Sequence, residues 1–317
     1  MTIPVVISFD KNFILPAKIA IYSLLVNAHE TTEYEIYVLT SDRSVALLFD
    51  IDSLKNVFSN FTVQYIYVGS VFNNAYEVRD ITIAAYYRLL IPEFLPHCKK
   101  VIYMDVDVIV QSDLSKIYQI DLGENFVAGF LDYGISSTEK GQKYLKETLH
   151  INTQKYIQSG FLLMNLDKFR SLGLCDKMRT LVKHKYVLQD MDVLNIACVG
   201  RTYVLPCYLN VVLQFYDMLR DYRNDYRGID LQSILNTSII HYNGKKPWNG
   251  STMNDDIWWY YYRKSPFFDI EFYRQHQFRK YYVKECLFKK GVHFIKKIIG
   301  RLSKCKHSVN HVANFVN

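Results

Sequence analysis
The sequence predicts a single α/β domain on a mixed, mostly parallel central sheet, followed by a basic helical tail. Three observations predict it. Short apolar, β-branched runs alternate with stretches of helical spacing through the first half of the 317 residues, which is the pattern of βαβ units and a sheet covered on both faces. Two of those runs end directly in acidic residues, Asp10 and Asp105, and open α/β sheets bind ligands at the carboxyl ends of their strands. Positive charge gathers at the end of the chain. Residues 279–317 hold ten Lys/Arg and one acid, a charge of +9 in a chain of +7, so residues 1–278 carry −2.

The elements follow in order. Val5–Phe9 is a short β-branched strand. Ile14–Val26 has helical spacing, with Leu15, Ile19, Tyr22 and Val26 on one face. Tyr34–Leu39 is a second strand and Val45–Phe58 a second helix, carried by Leu47, Leu48, Ile51 and Leu54. Val63–Val68 is a third strand, and Ile81–Leu90 a helix that Pro92 ends. Val101–Met104 is a fully apolar fourth strand. Farther on, Phe161–Asn165 and Val204–Leu205 are strand-like, and Asp190–Ile196 opens a helix. Ile239–His241 ends a strand before an Asn243-Gly244 turn, and Trp258–Tyr262 is an aromatic cluster. The expected divisions are a ligand-binding domain over residues 1–250, an aromatic, helical extension over 251–278 and the tail over 279–317.

Composition removes several classes. Half the residues are apolar and 22% are charged, enough for a sizeable core. No run of about 18 apolar residues is present, so no transmembrane helix is expected. Met1 leads at once into Pro4-Val5-Val6-Ile7, without a basic leader or cleavage site. The six cysteines show no metal or redox spacing and read as free thiols in a reducing cytosol. A mildly acidic body with a basic tail argues against nucleic acid as the partner.

Two stretches carry chemistry. In Asp105-Val106-Asp107, residues i and i+2 of an extended chain share a face, about 7 Å apart. Apolar runs flank them on both sides. Carboxylates in such a setting are costly to desolvate unless paired or metal-bound. A bare Asp-x-Asp is otherwise a pair of solvated acids at a strand end. The second stretch runs from Ile239 to Trp248, where His241 closes an apolar strand and Gly244, Lys245 and Lys246 follow. A histidine there is commonly a hydrogen-bonded core residue. Glycine, however, lets backbone N–H groups approach an anion, and lysine supplies a point charge for phosphate. An imidazole joined to carboxylates suits Mn²⁺ better than Ca²⁺, with Mg²⁺ as the alternative.

Seven segments in order resemble the family 8 glycosyltransferases, retaining enzymes of the GT-A fold. They are Ser8–Phe13, Ile81–Leu89, Val101–Val110, Asp121–Gly123, Tyr156–Leu166, Asp190–Asn195 and His241–Trp248. The resemblance covers about residues 3–250. It implies Asp105, Asp107 and His241 as Mn²⁺ ligands, with Asp10 and Asn12 as uracil and ribose contacts. It implies Arg88 and Asp190 as donor-sugar contacts and catalytic residues. Gly244 and Lys246 become the diphosphate clamp, with Lys246 also catalytic. Val106, Gln158, Ser159 and Met191 join the same nucleotide-sugar pocket. The implied donor is a UDP-hexose, glucose or galactose, and the implied acceptor a hydroxyl of a lipid-linked, lipopolysaccharide or capsule glycan in a bacterium.

The chain departs from the family pattern twice. Met191 stands where the family has Gln between two Asp, and Gln158 where it has Asn. A thioether is not a plausible sugar-forming nucleophile, so the departures favour same-face attack over a covalent intermediate. Asp80 also replaces a residue that is often His. In the tail, Phe288, Val292, Ile295, Ile299 and Leu302 form one helical stripe among lysines. That is the pattern of a basic amphipathic helix on an anionic membrane, against the plainer reading of a docked helix with a solvated face. Location at the cytoplasmic face of the membrane follows as an expectation. The rival readings are a protein- or self-glycosylating transferase and a non-catalytic UDP-sugar-binding protein.

Overall fold
A computed structural model describes residues 1–72, 75–77, 82–212 and 237–278 of the chain. Its centre is a seven-stranded sheet in the order β3-β2-β1-β4-β7-β6-β8. The strands are β1 (Thr2–Ser8), β2 (Glu33–Thr40), β3 (Phe61–Tyr67), β4 (Lys100–Met104), β6 (Val127–Leu131), β7 (Ile157–Asn165) and β8 (Thr202–Leu205). The sheet is parallel except for β7, which pairs antiparallel with β4 on one side and β6 on the other. A second sheet holds β5 (Val108–Val110), β10 (Ile239–His241) and β9 (Asn210–Val212), in that order.

This order places the ligand crevice. The chain steps from β1 outward to β2 and β3, then returns to the other side of β1 with β4. The carboxyl ends of β1 and β4 therefore flank a topological switch point. Because β7 runs the opposite way, its first residues lie beside the last of β4. Met104 pairs with Phe161, and the Asp105 N–H donates to Gly160 O at 2.7 Å.

Most elements lie where the sequence puts them, and the helix Ile14–Val26 matches in both bounds. Its burial is wider than the one expected face: Ala17, Ala20, Ile21, Leu24 and Leu25 are buried too, while Val26 is exposed. The helix is packed between the sheet and the helix Asp255–Lys264, whose Trp258, Trp259 and Tyr262 share its core cluster.

Three expectations are corrected. Val45–Phe58 is not one helix but a turn of helix at Ser44–Leu48 and a 3-10 turn at Asp52–Asn56. The Asp50 side chain accepts from the Asp52 N–H at 2.9 Å, a local bond that competes with helix continuation. Val45, Phe49, Ile51 and Leu54 are buried, whereas Leu47 and Leu48 face outward. Within the described part of 81–90, Ile83–Leu90 is a 3-10 helix, and Pro92 does not end it. The chain passes into an α-helix at Ile91–Phe94, with Pro92 in the first turn, where its missing N–H costs nothing. Residues 105–107 are a bend joining two sheets, not an extended pair. The tail over 279–317 and Asp80 lie outside the described residues.

The edge of β5 left open by β10 is closed by side chains of the first long helix. The Val110 N–H donates to Ser23 Oγ at 3.0 Å, and Asn27 Nδ2 donates to Val110 O at 2.9 Å. Both Ser23 and Val110 are fully buried. Ser23→Ala should therefore cost about 1–2 kcal/mol by orphaning the Val110 N–H, read as a lower urea midpoint at an unchanged m value. An unchanged midpoint would mean that the strand does not depend on this bond.

Candidate functional site
Asp105 and Asp107 enter the cleft because the bend after β4 turns both inward. The second sheet adds His241. Val108 pairs with His241 across β5 and β10, and the Tyr242 N–H donates to Asp107 O at 2.9 Å. One ligand atom from each of Asp105, Asp107 and His241 lies within 4.8 Å of the others.

Each carboxylate is held by one oxygen. Asp105 Oδ1 accepts from Arg88 Nη2 at 2.9 Å and from the Tyr103 hydroxyl at 2.7 Å. Asp107 Oδ2 accepts from Lys246 Nζ at 2.5 Å. The other oxygens turn toward His241 Nε2, Asp107 Oδ1 at 3.2 Å and Asp105 Oδ2 at 3.9 Å. Asp107 Oδ1 is buried without a hydrogen bond. Burial opposes the charge on Asp107, but Lys246 and then His241 outweigh it and hold the carboxyl far below its usual range. Two carboxylate oxygens and an imidazole nitrogen converging in this way fit a divalent cation, and the orphaned Oδ1 is an atom that a cation would satisfy.

Gly160 makes this convergence sterically feasible, and sequence reasoning gave it no role. A Cβ there would stand 2.3 Å from His241 Cε1 and 2.7 Å from Asp105 Oδ2.

Asp190 approaches from the opposite wall, in the first turn of the helix Gln189–Ala197. Its Oδ2 accepts from Ser159 Oγ at 2.9 Å and lies 3.3 Å from Arg88 Nε. Burial pushes the Asp190 carboxyl up to about 6, against the pull of Arg88. Arg88 is itself buried and bridges the two acidic centres, with further bonds to Ser159 O and Ala85 O. Asp192, in the same short motif, has another task. It is fully buried and accepts from the Tyr144 and Tyr156 hydroxyls and the Leu188 N–H, tying the helix to its surroundings.

The cleft has a volume of about 750 Å³. Asp10, Arg88, Asp105, Val106, Asp107, Gln158, Ser159, Asp190, Met191, His241, Gly244 and Lys246 all line it. Asn12 does not: its side chain is exposed at the rim, and its backbone N–H donates to Asp10 Oδ1 at 2.7 Å. Met191 lines the cleft and also packs against the cluster of Leu145, Leu149, Ile151 and Tyr156. Asp132 lines it too, capping the helix Tyr133–Ser136 through the Ile135 N–H at 2.9 Å. Burial raises the Asp132 carboxyl above its ordinary range. Sequence reasoning missed Asp132, although it follows an apolar strand as Asp10 and Asp105 do.

A model of the family described as glycosyl transferase family 8 matches residues 4–252. General stress protein A of Bacillus subtilis (strain 168) is 28% identical over 246 residues, covering 73% of this chain and 82% of that one. The lipopolysaccharide 1,2-glucosyltransferase of Escherichia coli K12 is 27% identical over 172 residues, 52% of this chain and 49% of that one. The chain thus spans about half the length of that relative. Among solved structures, galactosyltransferase LgtC in complex with donor and acceptor sugar analogues superposes with a TM-score of 0.68 at 21% identity. It covers 85% of this chain and 98% of its own.

The position of Asp190 makes a pH prediction. The folded chain, with its carboxyl near 6, binds the proton more tightly than an ordinary carboxyl near 3.8. Stability from this group is therefore full below about pH 4 and lost as pH rises through 6. Asp190→Asn removes the ionisation. In urea unfolding, the variant should gain on wild type between about pH 4 and pH 7, by on the order of 2–3 kcal/mol. A gap that does not change with pH would show that Asp190 ionises as freely folded as unfolded.

Proposed function
The chain belongs to glycosyl transferase family 8, with the GT-A fold, and on that basis we propose that it moves a hexose from a UDP-sugar with retention of configuration. The observation that carries this reading is the convergence of Asp105, Asp107 and His241 beside Lys246, at the carboxyl end of β4. The proposed donor is UDP-glucose or UDP-galactose. The proposed acceptor is a hydroxyl of a lipid-linked, lipopolysaccharide or capsule glycan. The named function of the Escherichia coli relative supports that class.

The residues divide the work. Asp105, Asp107 and His241 would hold Mn²⁺ or Mg²⁺, and the bound cation would neutralise charge developing on the departing diphosphate. Lys246 is already committed to Asp107 Oδ2 and to Tyr242 O at 2.7 Å. An ammonium has three protons, so one remains for a phosphate oxygen. Asp10 stands at the end of β1, where the nucleoside would lie. Asp190 would accept from donor-sugar hydroxyls, and Arg88 holds that carboxylate in place. Gln158 Oε1 is buried without a hydrogen bond and lines the same region, a spare acceptor for a sugar hydroxyl. Met191 offers no nucleophile, which supports attack on the same face as the leaving diphosphate.

No helix among the described residues is long and apolar enough to cross a membrane. The composition of residues 279–317 supports the further proposal that the tail holds the enzyme to an anionic membrane surface at the cytoplasmic face.

Release of UDP from UDP-hexose tests the reading. Turnover should stop on chelation and return with Mn²⁺. Gly160→Ala should reproduce the chelated state by displacing His241 and Asp105. UDP binding without any turnover, across glycan acceptors, would favour the non-catalytic reading, and turnover that survives exhaustive chelation would remove the metal.

Donor choice is tested at Met191. Met191→Gln should shift the kcat/KM ratio between UDP-glucose, UDP-galactose and their N-acetyl forms by a few-fold to about tenfold, the worth of one gained hydrogen bond. The anomeric configuration of the product should stay retained by NMR. An unchanged ratio would take residue 191 out of the sugar pocket.

A further inference from the structure
Gln189 holds a backbone that a glutamine rarely adopts. Its φ is +47°, in the left-handed region, at the first position of the helix Gln189–Ala197 and directly before Asp190. A residue with a Cβ is strained there, and such strain persists only where the surroundings over-determine it. Gln189 is buried, and its Nε2 donates to Tyr76 O at 2.8 Å. On the preceding residue, the Leu188 N–H donates to Asp192 Oδ2 at 2.8 Å. Glycine would adopt this φ without cost, but it could not reach Tyr76. Gln189 Oε1 is buried without a hydrogen bond, a further cost that the position bears.

Tyr76 O is a shared acceptor. The Tyr86 hydroxyl also donates to it, at 2.7 Å. Tyr86 lies two residues before Arg88 on the 3-10 helix Ile83–Leu90, whose Ile83 N–H donates to Glu77 Oε1 at 2.7 Å. One carbonyl thus ties the element that carries Arg88 to the element that carries Asp190, and those two side chains meet at 3.3 Å. Arg88 and Asp190 line the cleft, whereas Gln189 does not. The corner at Gln189 also separates two acids: Asp190 reaches the cleft, and Asp192 stays wholly inside.

Resting on the donor-sugar role proposed above for Asp190, we infer that Gln189 is the positioning residue for that carboxylate. The amide clamp on Tyr76 O keeps the left-handed corner closed, and the corner aims Asp190 at the cleft wall beside Arg88 and Ser159. Recognition of the hexose then depends on a residue that touches no ligand. UDP lacks the hexose whose hydroxyls Asp190 would accept from, so its binding is blind to the clamp.

The test is isothermal titration of UDP, UDP-glucose and UDP-galactose into the full chain with Mn²⁺. The proteins are wild type, Gln189→Met and Gln189→Gly, each also made with Asp190→Ala, and circular dichroism melts report folding. Gln189→Met keeps the volume and the strain but loses the donor. It should weaken the preferred UDP-hexose about three- to tenfold, the worth of one hydrogen bond, and leave UDP affinity unchanged. Gln189→Gly should do the same with a melting temperature no lower than that of Gln189→Met, because glycine relieves the left-handed strain. It decides the matter should Gln189→Met fail to fold. Combined with Asp190→Ala, neither change should alter UDP-hexose affinity further, since no carboxylate is left to aim. Equal weakening of UDP and UDP-hexose, or a loss that persists alongside Asp190→Ala, would make Gln189 merely structural and overturn the inference. Unchanged UDP-hexose affinity in a folded variant would also overturn it. Asp190→Ala that by itself leaves UDP-hexose affinity unchanged would instead remove the role of Asp190 on which the inference rests.

Discussion
Everything at the site depends on how two carboxylates survive at the edge of an apolar core. Asp105 and Asp107 follow a strand whose Val101, Ile102, Tyr103 and Met104 are fully buried, and Val108–Val110 beyond them are buried as well. Desolvation there would neutralise or expel an unpaired acid. Each is instead held by a cationic side chain on one oxygen, Arg88 for Asp105 and Lys246 for Asp107. The oxygens left over are then aimed by default, and they aim at His241. The ion pairs thus set the direction of charge.

The same economy explains the rest of the cleft. Arg88 serves Asp105 and Asp190 together, so the two acidic centres of the cleft share one buried guanidinium. Burial pushes Asp190 up to about 6, although Arg88 pulls the other way. The same carboxyl lines the cleft. Asp192, two residues on, shows the contrast: three donors converge on it and it stays wholly inside. One short motif therefore holds an acid that lines the cleft and an acid that ties down the fold.

Sheet order supplies the scaffold for these contacts. The antiparallel β7 brings Gln158, Ser159 and Gly160 to the carboxyl end of β4. The small second sheet brings His241 beside Asp107 from far along the chain. Gly160 lies where the two meet, and its missing side chain leaves room for the imidazole. Membership of family 8 and the likeness to LgtC agree with this architecture.

The sequence by itself determined the features that are local. Strand and helix periods, the acids that close β1 and β4, and the His-Tyr-Asn-Gly-Lys turn are readable because each depends on neighbours a few residues away. The helix over Ile14–Val26 is legible for that reason. The stretch Val45–Phe58 misled because its leucines mimic a helical stripe, while Asp50 breaks the helix from a position the stripe ignores. Pro92 misled because the same ring that stops one helix can open another. What only the tertiary structure decided is convergence: which oxygen of each carboxylate is tied down, that Arg88 bridges two acids, that Asn12 stays at the rim, and that Asp132 and Gly160 belong to the cleft. Those facts depend on strand order and on distances between segments remote in sequence. Residue type names the chemistry a side chain can do, but the partner that faces it is set by how the sheets are ordered and bent.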